Sequence, residues 1–301
     1  MRVFVPKYYE KFKCIAEKCS HSCCIGWEID VDPDTRARHE CSDHALSGEL
    51  IGSLSEQDGI SYIELTCDGR CPFLDSSGLC RIISEIGEDH TSRICREHPR
   101  FYHRIADRVE CGIGAVCEEA ARIILDSDDY DSFTECERED HTPPSGGCAE
   151  VLSHRENIYR ILRSHDSMRG AIAEICDVYG IEQRELFCAD ILELISEMEL
   201  LDESHRELLT SPSEDCPPWA EAYARRFFAY LIYRHLGSCE SEDMIPSRVA
   251  MAILLTFIYI GALFGEGSVS RAVECARLIS EEIEYSEDNT DTLTFQLYTT
   301  I

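Results

Sequence analysis

The chain has 301 residues, with 58 aspartates and glutamates against 28 lysines and arginines, so its formal net charge is −30. Such a charge repels nucleic acid phosphates, and we therefore expect no DNA or RNA partner. The hydrophobic share of 44% is that of a globular protein. The acidity favours either a basic protein partner or solubility alone.

The N-terminal residues lack the basic segment, apolar run and small-residue cleavage site of a secretion signal, so we expect a cytoplasmic protein. The cytosol keeps thiols reduced, and the 18 cysteines therefore predict metal ligation rather than a disulfide scaffold. Thirteen of them lie within residues 1–148, several at the short intervals that chelating sites use.

The first group of cysteines lies in the segment KCIAEKCSHSCCIGW and comprises Cys14, Cys19, Cys23 and Cys24. Turns or a single helical winding would bring four such thiolates within a few ångströms of one another. Four soft sulfurs suit zinc or an iron–sulfur cluster. Because adjacent side chains point in different directions, one member of the adjacent pair is expected to serve a second centre or to pack.

The second group lies in the segment GRCPFLDSSGLCRI, where Cys71 and Cys80 flank the turn residues 75–78. A partly alternating strand candidate at 60–66 precedes the turn, and the apolar pair 82–83 follows it. This pattern predicts a hairpin with a cysteine at each shoulder. The ends of such a hairpin can share one metal.

Two further candidate ligands are Cys95, in SRICREHPRF, and Cys117, in GIGAVCEEAARIIL. Proline restricts the preceding residue to extended geometry, so a helix that carries Cys95 is expected to end before Pro99. A second helix is predicted over residues 118–125, beginning beside Cys117. These two thiols are candidates to complete a four-thiolate set with the pair on the hairpin.

Together the eight cysteines predict a bound metal centre, and the alternative is that they are small buried hydrophobic residues. Eight thiols with one adjacent pair exceed what a single zinc ion uses, which favours a 4Fe–4S iron–sulfur cluster over zinc. Two zinc ions would also use all eight. The remaining cysteines lack chelating spacing and are interpreted as packed residues: Cys41, Cys67, Cys111, Cys136, Cys148, Cys176, Cys188, Cys216, Cys239 and Cys275.

An acidic segment rich in proline, glycine and serine begins near Asp126 and predicts a linker. We predict a cysteine-rich domain that binds a metal or iron–sulfur centre over residues 1–127, a linker over 128–148 and a helical domain over 149–301. The predicted fold class is mainly α: a cysteine-rich, metal-binding N-terminal half with a small β-hairpin, followed by an α-helical bundle.

After the linker, apolar residues recur with helical periodicity and are interpreted as core positions. The stretch 249–264 carries no charge but is shorter than the roughly 20 residues of a membrane span, so we expect a buried core helix and no membrane association. The other predicted helices are a stripe from Val151 to Leu162, a stripe from Leu186 to Met198, a helix opened by Pro217 and Pro218 that stops near Gly237, and a helix capped by Ser268.

Several motifs stand in a recognisable order: VPKYYEKFKC, CCIGWEIDVD, GRCPFLDSSGLCRI, ICREHPRF and CEEAARIIL. In this order and spacing the sequence resembles the flagellin lysine-N-methylase (FliB-type) family, whose members carry a zinc- or iron-chelating cysteine domain. The resemblance covers residues 1 to about 127. It implies that the family's cysteines are Cys14, Cys19, Cys23, Cys24, Cys71, Cys80, Cys95 and Cys117.

The resemblance also implies an enzyme that transfers a methyl group from S-adenosylmethionine to lysine side chains of flagellin. No strand followed by a Gly-x-Gly-x-Gly loop is evident, so the doubly wound methyltransferase domain is not expected. A radical enzyme of the Cys-x3-Cys-x2-Cys type is disfavoured, because Gly26 stands where the third cysteine belongs. The sequence therefore assigns neither the methyl-donor site nor the catalytic residues.

Two alternatives come from other functional classes. In the first, the protein is a non-enzymatic zinc- or iron-chelating module whose centre only stabilises the fold. In the second, it is a redox protein that uses an iron–sulfur cluster for electron transfer. A site closed by four thiolates favours a structural role, whereas an open ligand position beside a pocket favours catalysis.

Overall fold

The structure, a computed structural model, describes residues 2–27, 29–136, 146–265 and 267–301. The chain divides into two compact units. Lys13–Pro99 is here called the cysteine unit, and Met1–Phe12 together with Arg100–Ile301 is called the helical unit. This division lies elsewhere than the predicted linker at 128–148, of which residues 137–145 are outside the described part of the chain.

The predicted mainly α fold class is confirmed, with short strands in both units. The strands, in chain order, are β1 (Arg2–Pro6), β2 (Ile29–Asp30), β3 (Leu54–Gln57), β4 (Ile60–Ile63), β5 (Arg100–Ile105), β6 (Arg108–Ile113), β7 (Phe133–Cys136) and β8 (Gly146–Gly147). The helices are α1 (Pro33–Glu40), α2 (Ala45–Gly52), α3 (Arg81–Ile86), α4 (Arg93–Glu97), α5 (Glu118–Leu125), α6 (Val151–Ser164), α7 (Met168–Tyr179), α8 (Ala189–Glu197), α9 (Arg206–Leu209), α10 (Glu221–Leu236), α11 (Ile245–Ala262), α12 (Val269–Ile279) and α13 (Glu287–Thr300).

Short helical turns connect several of these elements. The 3-10 turns are Lys7–Lys11, Ala16–Lys18, Glu88–His90, Gln183–Phe187, Glu203–His205 and Glu242–Met244, and a π-helical turn, Ser280–Glu284, joins α12 to α13. Single π-helical turns are rare and occur frequently at functional sites.

The helical unit contains a mixed sheet with the strand order β7-β1-β6-β5-β8 in the described residues. Strands β5 and β6 form an antiparallel hairpin, in which Tyr102 lies opposite Cys111. Ala106 turns this hairpin with a φ of 52°. The N-terminal strand β1 pairs parallel with β6, Val3 opposite Val109. The sequence analysis predicted no sheet here. The pairings of β1 join segments that are more than 100 residues apart, whereas the hairpin of β5 and β6 is local and was missed.

The core of the helical unit is built around α11, which packs against α10, α12 and α13. The predicted core helix is confirmed: Glu242–Ala262 is long and apolar enough to cross a membrane, but 83% of its most apolar stretch is buried inside the protein. Apolar length alone does not distinguish the two cases, and burial here favours a core helix. The predicted cap of α12 is confirmed too, since the Ser268 hydroxyl accepts a hydrogen bond from the Arg271 amide at 3.1 Å.

A buried ion pair joins the sheet of the helical unit to α6. Arg155 donates two hydrogen bonds to the Glu110 carboxylate, at 2.5 and 2.7 Å, and both side chains are almost completely buried. The guanidinium of Arg155 also lies 4.9 Å from the ring centre of Phe133 and 5.1 Å from that of Tyr233. Burial disfavours the charged form of Glu110, but the Arg155 charge outweighs burial and holds the pKa of this carboxyl below its ordinary value.

The cysteine unit has a smaller core and a sheet in the order β2-β4-β3. Strands β3 and β4 are joined by Asp58 and Gly59, whose φ values of 50° and 82° are those of a type I′ turn. The strand predicted at 60–66 is confirmed over Ile60–Ile63. Its partner, however, is the preceding segment Leu54–Gln57, and the Asp-Gly pair in the sequence is the signal for that hairpin.

One aspartate ties together two helices of the cysteine unit. Asp32 caps α1 by accepting a hydrogen bond from the Thr35 amide at 2.9 Å, and Pro33 occupies the first position of that helix. The same carboxylate accepts a hydrogen bond from the Arg93 amide at 2.7 Å, at the beginning of α4. Asp32 therefore fixes the beginning of the helix that carries Cys95.

Replacement of Arg155 by methionine tests the buried ion pair. The substitution leaves the buried Glu110 carboxylate with Arg108 as its remaining ion-pair partner. Because two charged hydrogen bonds are lost, we expect a loss of about 2–3 kcal/mol in the free energy of unfolding at pH 7. The matched control is Arg160→Met on the same helix, because the side chain of Arg160 is 60% exposed and its loss should cost less than about 1 kcal/mol.

Urea unfolding followed by circular dichroism measures both variants. The difference in unfolding free energy between the wild type and Arg155→Met should become smaller as the pH falls through the range in which Glu110 becomes protonated. In the wild type, the lowered pKa of Glu110 means that its stabilisation is present above the unfolded pKa of about 4.3 and is lost in more acidic solution. Equal stability of the two variants at pH 7 would contradict a stabilising role for the pair.

Candidate metal centre

Backbone hydrogen bonds hold the segment around Cys24 against the segment around Cys71. The Cys71 amide donates to the Cys24 carbonyl at 2.8 Å, and the Gly26 amide donates to the Gly69 carbonyl at 2.8 Å. Both glycines have positive φ values, 80° and 72°, which glycine adopts with little strain. Because of this pairing, a cysteine of the first group lies beside a cysteine of the second.

A tight turn brings Cys80 back toward Cys71. The Asp75 carboxylate accepts hydrogen bonds from the Ser77 and Leu79 amides at 2.8 and 2.9 Å, and Leu74 pairs antiparallel with Cys80. Aspartate commonly closes turns in this way. The turn at residues 75–78 forms as predicted, but the hairpin predicted around it is wrong, because a single bridge between Leu74 and Cys80 takes the place of two paired strands. The segment after Cys80 is the helix Arg81–Ile86 and not a second strand.

Cys95 lies on α4, which ends at Glu97, before Pro99, as predicted. The Ser92 hydroxyl donates a hydrogen bond to the Cys95 sulfur at 3.1 Å. A hydroxyl in this position stabilises the thiolate form of a cysteine. Cys95 is therefore held at the beginning of the helix that Asp32 anchors.

The thiols of Cys24, Cys71, Cys80 and Cys95 form one group, here called the four-thiol group. Each of the six pairs among them interacts electrostatically. Cys71 is buried, with 6% of its surface exposed, and belongs to the hydrophobic core of the unit. Four converging sulfurs are the donor set that zinc and iron–sulfur clusters share.

Burial and neighbouring charges separate the acidities of these thiols. Burial raises the pKa of Cys71 to about 12 and that of Cys95 to about 11, and it also raises the pKa of Cys80. Cys24 differs because a hydrogen bond with the Cys23 thiol lowers its pKa to about 7, although burial opposes this. Without metal, three of the four thiols are protonated at neutral pH. A cation must displace those protons, so its affinity should rise with pH.

The distances between the sulfur atoms of the four-thiol group indicate which metal fits it. Four thiolates around one zinc ion, each about 2.3 Å from it, lie about 3.8 Å apart. In the part of the chain that the structure describes, His205, Glu281 and Glu282 are the one set of three potential ligand atoms within 4.8 Å of one another. The sulfurs of the four-thiol group are more widely spaced. A cluster binds each thiolate to a different iron and so needs wider spacing than a single ion.

The other four predicted ligands have different surroundings, and Cys23 is hydrogen-bonded with the Cys24 thiol. Cys14 and Cys23 are exposed, and the half-buried Cys19 donates a hydrogen bond from its thiol to the His21 carbonyl at 2.7 Å. Cys117 belongs to the helical unit, where it is the residue before α5, and the predicted helix 118–125 is confirmed. As ligands, these four cysteines stay a prediction.

The chain is similar in sequence to a flagellar biosynthetic protein and to lysine-N-methylases. The flagellar biosynthetic protein FliU of Salmonella muenchen is 28% identical over 130 residues, which are 41% of this chain and 77% of FliU. Lysine-N-methylases of Salmonella typhimurium and Salmonella choleraesuis are each 27% identical over 143 residues, which are 43% of this chain and 34% of each relative. Over this part of its length the chain is similar to FliB-type lysine-N-methylases.

The match to these lysine-N-methylases spans about a third of their length. No protein-family model and no solved structure matches the chain. The geometry of the four-thiol group therefore comes from this chain's own structure alone.

The sequence analysis found the ligand candidates but did not bring Cys24 together with the later cysteines. It named Cys117 as a candidate to complete a set with Cys71, Cys80 and Cys95, and that role of Cys117 stays a prediction. Spacing alone could not show the grouping of Cys24 with Cys71, since 46 residues separate the two in the chain. The two glycines with positive φ that align these segments were the one local signal.

Serine substitutions test the four-thiol group. We expect Cys71→Ser and Cys95→Ser to weaken metal binding at least about tenfold, because each removes one of four ligands from the centre. The matched control is Cys67→Ser, which changes an exposed cysteine of the same unit. Metal content after anaerobic purification, measured by mass spectrometry of the elements, reports the difference. Equal metal content in all three variants would contradict the assignment.

Proposed function

We propose that the protein is a methyltransferase that moves a methyl group from S-adenosylmethionine to lysine side chains of flagellin. Three observations support this proposal. Its relatives include proteins named lysine-N-methylase, another is named as flagellar biosynthetic, and the cysteines shared with the family motif converge in the structure. The similarity to proteins named lysine-N-methylase is the observation that carries the proposal.

We further propose that the four-thiol group holds an iron–sulfur cluster of the 4Fe–4S type. The residues present fit such a group, because Cys24, Cys71, Cys80 and Cys95 supply four soft donors with a spacing wider than a zinc tetrahedron. When bound, the cluster supplies a one-electron redox centre whose potential depends on burial and on hydrogen bonds to sulfur. The Ser92 hydroxyl beside Cys95 makes such a hydrogen bond.

The methyl transfer itself has defined chemical requirements. A lysine side chain, with an unperturbed pKa of about 10.4, must lose a proton before its nitrogen lone pair attacks the methyl carbon. The new carbon–nitrogen bond forms as the carbon–sulfur bond breaks, and S-adenosylhomocysteine leaves with the electron pair. The formal charge of −30 attracts both a basic lysine and the cationic methyl donor to the protein.

A structural role for the centre is the competing proposal, and one observation favours it. Four protein thiols fill all the ligand positions of a tetrahedral metal, which is the pattern of structural sites. In that case the metal would stabilise the cysteine unit and take no part in the reaction. The wide spacing of the sulfurs favours the cluster over this alternative.

A methylation assay tests the proposed activity. Anaerobically purified full-length chain is incubated with Salmonella flagellin and isotopically labelled S-adenosylmethionine, and flagellin peptides are analysed by mass spectrometry. We expect labelled methyl groups on flagellin lysines and few on an unrelated lysine-rich protein. Methylation of the chain itself is distinguished from methylation of flagellin by the peptides that carry the label, since the chain's own lysines all lie within residues 7–18.

The variants of the four-thiol group distinguish the two roles of the centre. If the centre supports the reaction, Cys71→Ser should lose at least about tenfold in rate, while the control Cys67→Ser keeps the wild-type rate. Retained methylation in Cys71→Ser protein that has lost its metal would assign the centre a purely structural role. A metal-loaded wild type that leaves flagellin unlabelled would contradict the methylase proposal.

A further inference from the structure

A second cluster of metal-ligating side chains lies in the helical unit, apart from the cysteines. Within the described residues, His205, Glu281 and Glu282 place one ligand atom each within 4.8 Å of the others. His205 ends the 3-10 turn Glu203–His205, and the two glutamates belong to the π-helical turn Ser280–Glu284. We infer that these three residues bind a first-row divalent cation such as Mn²⁺.

The geometry of the histidine and the buried glutamate is close to that of two neighbouring metal ligands. Nδ1 of His205 lies 2.6 Å from Oε1 of Glu282. Two ligands at right angles, each about 2.1 Å from an ion, lie about 3 Å apart. An ion therefore needs only a small separation of this pair, and it replaces the proton that they share.

The surroundings of Glu282 hold its carboxylate in place. Glu282 is only 1% exposed, and it accepts hydrogen bonds from the backbone amides of Leu201 and Asp202 at 2.7 and 3.2 Å. The buried Asn289 side chain donates to the Glu282 carbonyl at 2.8 Å and so fixes the π-helical turn. Hydrogen bonds of this kind orient ligating carboxylates in metal sites.

The histidine also has a carboxylate on its far side. Nε2 of His205 lies 3.9 Å from the Asp202 carboxylate, too long for a hydrogen bond but close enough for electrostatic attraction. A carboxylate in this position favours a proton on Nε2. Nδ1 is the ring nitrogen that contacts Glu282, so it is the one that faces the cluster.

A cavity of about 360 Å³ adjoins His205. Its lining includes His205, Ser204, Glu207, Leu208, Ser211 and Arg271. Three protein ligands leave ligand positions open, and the cavity provides space for water or a small anion beside the histidine. Open positions beside a pocket distinguish catalytic or binding sites from closed structural ones.

The third ligand, Glu281, is shared with an arginine. Arg277 contacts Oε2 of Glu281 at 2.8 Å and the Glu274 carboxylate at 3.1 Å. The second oxygen of Glu281 keeps its lone pairs for an ion. One imidazole and two carboxylates form a mixed nitrogen and oxygen donor set, which suits Mn²⁺, Fe²⁺ or Zn²⁺ and lacks the sulfur that Cu⁺ prefers.

Titration with Mn²⁺ tests this site without depending on the methylase proposal. Manganese is the probe because carboxylates and imidazole bind it while thiolates prefer softer metals. The full chain, purified anaerobically with its cysteine centre intact, is titrated and followed by electron paramagnetic resonance and by thermal unfolding. We expect one saturable Mn²⁺ per chain and a rise in the unfolding temperature.

Two glutamine substitutions provide a matched comparison. Glu281→Gln and Glu274→Gln each remove one carboxylate partner of Arg277, but only Glu281 is a candidate ligand. We expect Glu281→Gln to weaken Mn²⁺ binding at least about tenfold and Glu274→Gln to leave it within about twofold. His205→Asn should also weaken binding, and circular dichroism of every variant verifies the fold.

Two results would overturn the inference. One is the lack of saturable Mn²⁺ binding by the folded wild-type chain. The other is equal binding by Glu281→Gln, Glu274→Gln and the wild type, which would place any bound manganese elsewhere on this acidic protein.

Discussion

The convergence of Cys24, Cys71, Cys80 and Cys95 is the constraint that organises the cysteine unit in our account, since neighbouring thiolates repel one another unless a cation lies between them. The core of this unit is small, and Cys71 itself belongs to it. Short helices and strands with few buried apolar residues give little stability by themselves. A cation or cluster shared by four thiolates would join segments that are distant in the chain, so metal binding and folding are coupled in our account.

The helical unit is organised by different forces. Its core surrounds α11, and the buried Arg155–Glu110 pair connects α6 to the sheet. This core is large enough to fold by hydrophobic burial, so its polar clusters are available for other roles. His205 and Glu282 illustrate this, since two backbone amides hold the Glu282 carboxylate and the Asn289 side chain holds the Glu282 backbone carbonyl. We therefore assign a candidate metal site to each unit.

Local sequence signals predicted the local structure well. Turn residues 75–78, the helix 118–125 and the cap at Ser268 are all where the sequence placed them. The pairings of β1 in the sheet of the helical unit and the grouping of Cys24 with later cysteines were not predicted, because both depend on pairings between distant segments. The turn at 58–59 was missed although Asp-Gly is a strong hairpin signal. Whether the eight predicted cysteines are ligands stays open to measurement.

X-ray absorption spectroscopy at the iron and zinc edges of anaerobically purified protein tests the central claim most directly. Our account predicts about four irons per chain, each bonded to sulfur, with iron neighbours in the scattering. Cys24→Ser should reduce that signal. A single zinc surrounded by four sulfurs at about 2.3 Å, with no metal neighbour, would contradict the cluster and leave a structural zinc site in its place.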